Sequence, residues 1–209
     1  MKIWNRLKAA LIGFVFVITA VSCGAVKPTG TDRVEAFLTE ASGFNSGRYL
    51  ITNLNTGVTE QVFSFYFESD GTERFLLELS DGVNYSYSYY NGVDLTNSAG
   101  EKTSVNSSYT RENPYPMGDG SLLFYVPELI AESREFTDDA DNTVFEYIYD
   151  TEQLNTLSNT DYNEFMTVWV FNNKDEFVLM SRSITNKDGM VEIYQMEVID
   201  VNGVFEIIL

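Results

Sequence analysis

The side chains that could do chemistry in this chain are one cysteine, 31 carboxylates, thirteen basic residues and thirteen tyrosines; histidine is absent. Without imidazole, Ser-His-Asp and Cys-His catalysis and every histidine-built zinc site are excluded. A carboxylate pair of the glycosidase kind needs two acids held at a defined separation, and no motif selects two of the 31. The single cysteine, Cys23, forbids an intramolecular disulfide, so the fold must be held by burial alone. The acidic stretch Glu135-Phe136-Thr137-Asp138-Asp139-Ala140-Asp141 lacks the glycine and terminal glutamate of an EF-hand loop and reads as a solvated acidic loop. Gly118-Asp119-Gly120-Ser121 has no third glycine and no βαβ setting, so it reads as a turn rather than a dinucleotide site. No cofactor and no metal are expected, and the chain reads as non-enzymatic.

Cys23 does carry a signal of its own. Ahead of it stand Lys2, Arg6 and Lys8, then the apolar run Ala9–Ile18, then Thr19-Ala20-Val21-Ser22-Cys23-Gly24. A basic start, a short apolar run and small residues before a cut are the parts of a secretion signal. The run is too short for a membrane span, which needs about 20 apolar residues. The segment resembles a lipobox, departing from it in Ala20, where leucine is usual. That resemblance implies that Cys23 becomes the acylated first residue of the mature protein. The expected organisation is a signal peptide over 1–22, a lipidated tether over 23–30 and a single β-rich extracytoplasmic domain over 31–209. The expected place is the outer side of the cytoplasmic membrane, or the periplasmic side where an outer membrane exists.

The leader holds three basic residues and no acid, so the mature part has ten basic residues against 31 acidic, a formal −21. Such a surface excludes nucleic acid, whose phosphates need cations, and keeps the body from lying flat on anionic lipid. About 180 residues suit one domain with a sizeable core, and most of the 28 Phe and Tyr of the whole chain supply it with large rings. A monomer is expected.

Two periodicities place these rings. Thr31-Asp32 offer an N-cap to Val34, Phe37, Leu38 and Ala41 at helical spacing, which predicts a helix over 31–42 ending near Ser42-Gly43. Then the period drops to two: strands are predicted over 48–54, 62–68, 74–79 and 83–90, with Asp70-Gly71, Asp81-Gly82 and Asn91-Gly92 as hairpin turns. The middle, 95–142, is Asn/Ser/Thr-rich and proline-punctuated and reads as an irregular insertion. Within it Ser121–Ala131 is an apolar island in which Pro127 either opens a short helix or breaks a longer one. The stretch 109–117 reads as a connection rather than a lid. Strands resume over 143–149, 165–171, 177–184, 190–199 and 204–209, with a short helix over 151–158 capped by Asp150.

The period-two faces are the candidate site. Phe63, Phe65 and Phe67, then Phe75, Leu77 and Leu79, then Tyr85, Tyr87 and Tyr89 fall on consecutive strands and predict one ring-rich sheet face. Such a face is either plain core or the lining of a site for an apolar ligand, with a few hydroxyls to orient it. Exposed tyrosines at 85, 87, 89 and 90 offer an alternative, a surface that binds glycan or protein.

A helix, a run of hairpins, a Pro-containing insertion and a second run of hairpins resemble the LolA-like group, which includes the LolA/LolB carriers and the LppX/LprG-type lipoproteins. The resemblance rests on element order over about 31–209. It implies a mainly β, α+β fold: a curved antiparallel half-barrel with one or two helices on its concave face, and between them an apolar cavity that accepts acyl chains. A closed barrel or a helix-free sandwich is the rival architecture. The carrier's arginine has no assigned position, because Arg48, Arg74, Arg111, Arg134 and Arg182 all remain open. The expected partners are the membrane, through Cys23, and a lipid or other apolar ligand lining up with Phe63, Phe65, Phe67, Phe75, Leu77, Tyr85, Tyr87 and Tyr89.

Overall fold

The computed structural model describes residues 28–68, 72–104, 125–203 and 207. The signal peptide, Cys23, the stretches 109–117 and 118–121, the turn at 70–71 and all of the expected last strand, 204–209, except residue 207 lie outside the described residues.

Helix α1 (Thr31–Ser42) leads into a meander of β1 (Ser46–Asn53), β2 (Val58–Phe67), β3 (Glu73–Ser80), β4 (Tyr85–Tyr90), β5 (Asp94–Asn97) and β6 (Lys102–Ser104). After a 3-10 turn at Pro127–Leu129 comes a second meander: β7 (Ile130–Thr137), β8 (Thr143–Tyr149), helix α2 (Thr151–Ser158), β9 (Tyr162–Phe171), β10 (Phe177–Asn186) and β11 (Val191–Ile199). All strands join one antiparallel sheet in the order β6-β5-β4-β3-β2-β1-β11-β10-β9-β8-β7. The two meanders meet where β1 pairs with β11, Asn53 opposite Tyr194 and Ile51 opposite Met196. β6 and β7 are the two edges of this order, so among the described residues the sheet is open, and the closed-barrel rival falls. The accumulated twist of so many strands curls the sheet, and α1 and α2 accompany it.

Local chemistry accounts for the elements. The loop between β3 and β4 is an Asx turn: Asp81 accepts from the backbone N–H of Val83 (2.8 Å) and Asn84 (2.7 Å), and Gly82 takes φ +87°, which a side chain resists. α2 begins on Asp150, whose carboxylate accepts from the backbone N–H of Gln153 at 3.1 Å. Pro127 opens a short helical turn, the first of its two readings. α1 departs from expectation at its start, since neither Thr31 nor Asp32 caps it. Gly30, at φ +70°, occupies the cap position without a side-chain hydrogen bond, and the Thr31 hydroxyl donates to the Pro28 carbonyl at 2.8 Å.

Three strands were missed within 95–142. β5 and β6 are short and offer Leu95 as their large apolar residue, so no alternation announces them. β7 runs through the first part of the predicted acidic loop, with Glu135, Phe136 and Thr137 in the strand; only the hairpin turn at 138–142 is loop. An edge strand has little to bury and hides its pattern among charges, and Arg134 on β7 reaches Glu146 at 3.4 Å and Glu132 at 3.7 Å.

The core is one cluster spanning both meanders and α1, from Tyr49, Phe63, Phe65 and Phe75 to Phe145, Trp169, Phe171 and Met180. Val34 and Ala41 of α1 are fully buried and Phe37 nearly so. The Phe37 ring stacks on Phe177 at 4.0 Å and meets Trp169 (6.2 Å) and Phe171 (6.5 Å) edge-on.

Candidate functional site

Cross-strand partners in a sheet point to the same side, so register assigns each candidate to a face. Tyr49 stands opposite Phe63, Phe63 opposite Leu77 and Leu77 opposite Ser88. Phe65 stands opposite Phe75, Phe75 opposite Tyr90 and Tyr90 opposite Leu95. These residues share the inner face, the one α1 packs on. Their rings run in sequence: Tyr49 to Phe65 at 5.5 Å, Phe63 to Phe75 at 5.8 Å, Phe75 to Tyr90 at 4.8 Å. Phe63, Phe65 and Phe75 are buried, whereas Phe67 and Leu77 are half-buried at the margin of this cluster.

Tyr85, Tyr87 and Tyr89 do not belong there, which corrects the expected single ring-rich face. They pair with Ser80, Glu78 and Leu76 and point to the outer face. The residues that β4 turns inward are Ser86, Ser88 and Tyr90. Tyr90 is therefore not an exposed tyrosine either, being 8% exposed against Phe75. Tyrosines at both odd and even positions made parity ambiguous. Counting across the four-residue loop 81–84 would have resolved it, because pairing Ser80 with Tyr85 puts Tyr85 on the face that Phe75, Leu77 and Leu79 avoid.

On the outer face Tyr85 is 61% exposed. Its hydroxyl donates to Glu78 at 2.7 Å, and the bond to that carboxylate pushes its pKa up to about 12. Tyr87 lies 6.4 Å from it, ring to ring. Arg74 lies at the other end of the β3–β4 pair, near Tyr89, and reaches Glu68 at 2.7 Å.

The inner face also contains a polar row that sequence reasoning did not pick out. Register aligns Asn53, Tyr194, Arg182, Thr167, Tyr147 and Ser133 across β1, β11, β10, β9, β8 and β7. Thr167 is fully buried; its hydroxyl accepts from the Trp169 indole at 3.3 Å and lies 3.4 Å from the Tyr149 hydroxyl. The Arg182 guanidinium sits 5.7 Å from the Tyr194 ring centroid. Burial lowers its pKa against the opposing pull of Tyr162, Tyr194 and Glu192, yet arginine remains charged. Burial likewise pushes the Tyr147, Tyr149 and Tyr194 hydroxyls up, so all three are neutral donors at neutral pH.

Of the five arginines left open, register separates four. Arg48, Arg74 and Arg134 point outward and reach Asp200 (3.5 Å), Glu68 and Glu146 respectively. Arg182 is the inner-face arginine of the described strands, and Arg111 lies outside the described residues. The inner face thus carries its aromatic cluster on one side of the row of Ile51, Met196, Met180 and Trp169 and, on the other, the polar row with one fixed positive charge, beyond which Phe165, Ile184 and Tyr149 are again buried in the core. Such a surface can pack an apolar chain and orient an electron-rich head; it presents no assembled nucleophile. Among the described residues no cluster of three metal-ligating side chains occurs, and no helix is long and apolar enough to cross a membrane.

No family model matches the chain, and no curated protein does. Among solved structures it is similar to the Mycobacterium tuberculosis lipoprotein LppX, at 10% identity and a TM-score of 0.49, over 84% of this chain and 96% of that one.

Proposed function

We propose that this protein is a non-enzymatic, lipid-anchored extracytoplasmic protein whose single domain, 31–209, binds an apolar ligand, such as a lipid acyl chain, on the inner face of its sheet. The observation that carries the reading is the division of that face. Phe63, Phe65, Phe75 and Tyr90 form its apolar part, with half-buried Phe67, Leu77 and Leu95 beside them. Arg182, Tyr194 and Thr167 form its polar part. Rings without hydrogen-bonding demands suit hydrocarbon, and a guanidinium among hydroxyls suits a carboxylate, ester or phosphate head. Anchorage rests on Cys23 and the segment before it.

Native mass spectrometry of the protein extracted from its own membrane tests the ligand. A lipid retained by the domain supports the reading. An empty domain that also fails to bind a fluorescent fatty acid refutes it. Metabolic labelling with a fatty-acid analogue tests the anchor separately: the wild type should be marked and Cys23→Ala should not.

The exposure of Tyr85 beside Tyr87 favours a second reading, a glycan-binding strip on the outer face, since sugars stack on such rings and bond to flanking Glu78. A glycan that binds the wild type and not the Tyr85→Ala/Tyr87→Ala double variant would establish it.

A further inference from the structure

The start of the described chain is fastened to the sheet, and where it is fastened sets how the body can sit on a membrane. The Thr29 backbone N–H donates to the Ser133 hydroxyl of β7 at 3.1 Å, and the Thr29 carbonyl accepts from the Tyr147 hydroxyl of β8 at 2.7 Å. Tyr147 is fully buried, so this second bond is part-buried on its donor side. Gly30 then passes so close to Phe145 of β8 that a Cβ there would lie 2.3 Å from the ring. One residue on, α1 begins, and its Arg33 lies over the Phe145 ring and reaches Asp175 at 3.1 Å. Residues 29–33 are therefore held on β7 and β8 by two hydrogen bonds and a close backbone approach, and on the β9–β10 turn by an ion pair.

From Cys23 to Pro28 the chain runs five residues, which span at most roughly 18 Å when fully extended. We infer that the anchored protein presents its β7–β8 edge to the lipid surface, and with it the end of the polar row that Ser133 and Tyr147 begin. This rests on the proposed acylation of Cys23. The partner surface is the bilayer itself. Arg182 stands two strands in from Tyr147 on that row, about 10 Å at the usual strand spacing. The charged part of the inner face thus lies on the membrane side of the body, where the head of a lipid leaving the bilayer would meet it. Adhesion does not hold this edge down, since Glu128, Glu132 and Glu135 are exposed along it; the short tether does.

The test uses the full-length lipidated protein in phosphatidylcholine vesicles that carry an acceptor dye on a lipid head. A donor dye goes on Ala131→Cys, exposed on β7, or on Thr56→Cys, in the exposed β1–β2 hairpin five strands away. Intact mass first reports whether Cys23 is acylated. Energy transfer should be clearly stronger from position 131 than from 56, and a ten-residue Gly/Ser insertion between Val26 and Lys27 should erase the difference. Equal transfer from both sites in an acylated protein overturns the orientation and leaves the anchor standing. An unacylated Cys23 overturns both.

Discussion

Replacing Phe37 with alanine asks whether α1 is part of the core or a loose cover over the inner face. The ring is 6% exposed and is enclosed by Phe177, Trp169 and Phe171. A buried Phe removes on the order of 150–250 Å² from water, which at about 25 cal/mol per Å² amounts to roughly 4–6 kcal/mol. Compactness of the unfolded chain trims that by about 10–40%, while the cavity left between three rings restores part of the loss. The expected destabilisation is about 3–5 kcal/mol. Urea unfolding followed by tryptophan fluorescence should show the midpoint falling by roughly 1.5–3 M at an unchanged slope of about 1.5–2 kcal/mol/M. Leu157→Ala, on the exposed side of α2 at 72% exposure, is the control and should stay within about 0.5 kcal/mol. A loss below about 1 kcal/mol for Phe37→Ala would mean that α1 lies apart from the sheet in solution, and the core described above would be wrong there.

The remaining expectations concern charge and capping. Arg182→Met keeps the bulk of the stem and removes the guanidinium; since burial of that charge is itself unfavourable, stability should change by less than about 1 kcal/mol. Binding of a fluorescent fatty acid should weaken about tenfold or more under the same substitution, and undiminished binding refutes the role given to Arg182. Asp150→Ala should destabilise by about 1 kcal/mol through loss of the α2 cap, read as a lower midpoint in urea. Asp81 is held down to about 2 from an ordinary 3.8 by hydrogen bonds from Asn84 and Val83. A depressed carboxylate contributes stability that is full above its unfolded pKa and is lost as pH falls through the folded one. The gap in melting temperature between wild type and Asp81→Ala should therefore be constant above about pH 4 and close toward pH 2; a gap that persists at pH 2 contradicts the turn geometry.

What the sequence made legible follows a physical line. α1 and α2 were readable because helical periodicity is local, and Asp150 stands where an N-cap must. The β3–β4 and β4–β5 hairpins of the first meander were readable because Asp81-Gly82 and Asn91-Gly92 satisfy backbone demands that few residues meet. β5, β6 and β7 were not, because toward the ends of the sheet they carry few large apolar side chains, and polar alternation leaves no hydrophobic trace. The misplaced Tyr85, Tyr87 and Tyr89 failed for another reason. A shift of one residue reverses every side chain in a strand, and β4 offers rings on both faces.

The polar row was beyond local reading altogether. Arg182 sits in the alternating run Met180, Ser181, Arg182, Ser183 and Ile184, whose parity puts it on the side of Met180 and Ile184 without saying what it meets there. What turns the arginine inward is pairing: Met180 and Ile184 face the core, and Arg182 shares their parity. What surrounds it is assembled from distant parts of the chain, Tyr194 across β11 and Asn53 beyond it on β1. The pairing of β1 with β11 closes the longest loop in the sheet, and loop closure leaves no mark on the residues at its ends. A face that sets a charged polar row beside an aromatic cluster is thus a property of topology. It exists because two meanders join along β1 and β11 so that the polar positions of six strands fall in line, ending at the edge where residue 29 is held.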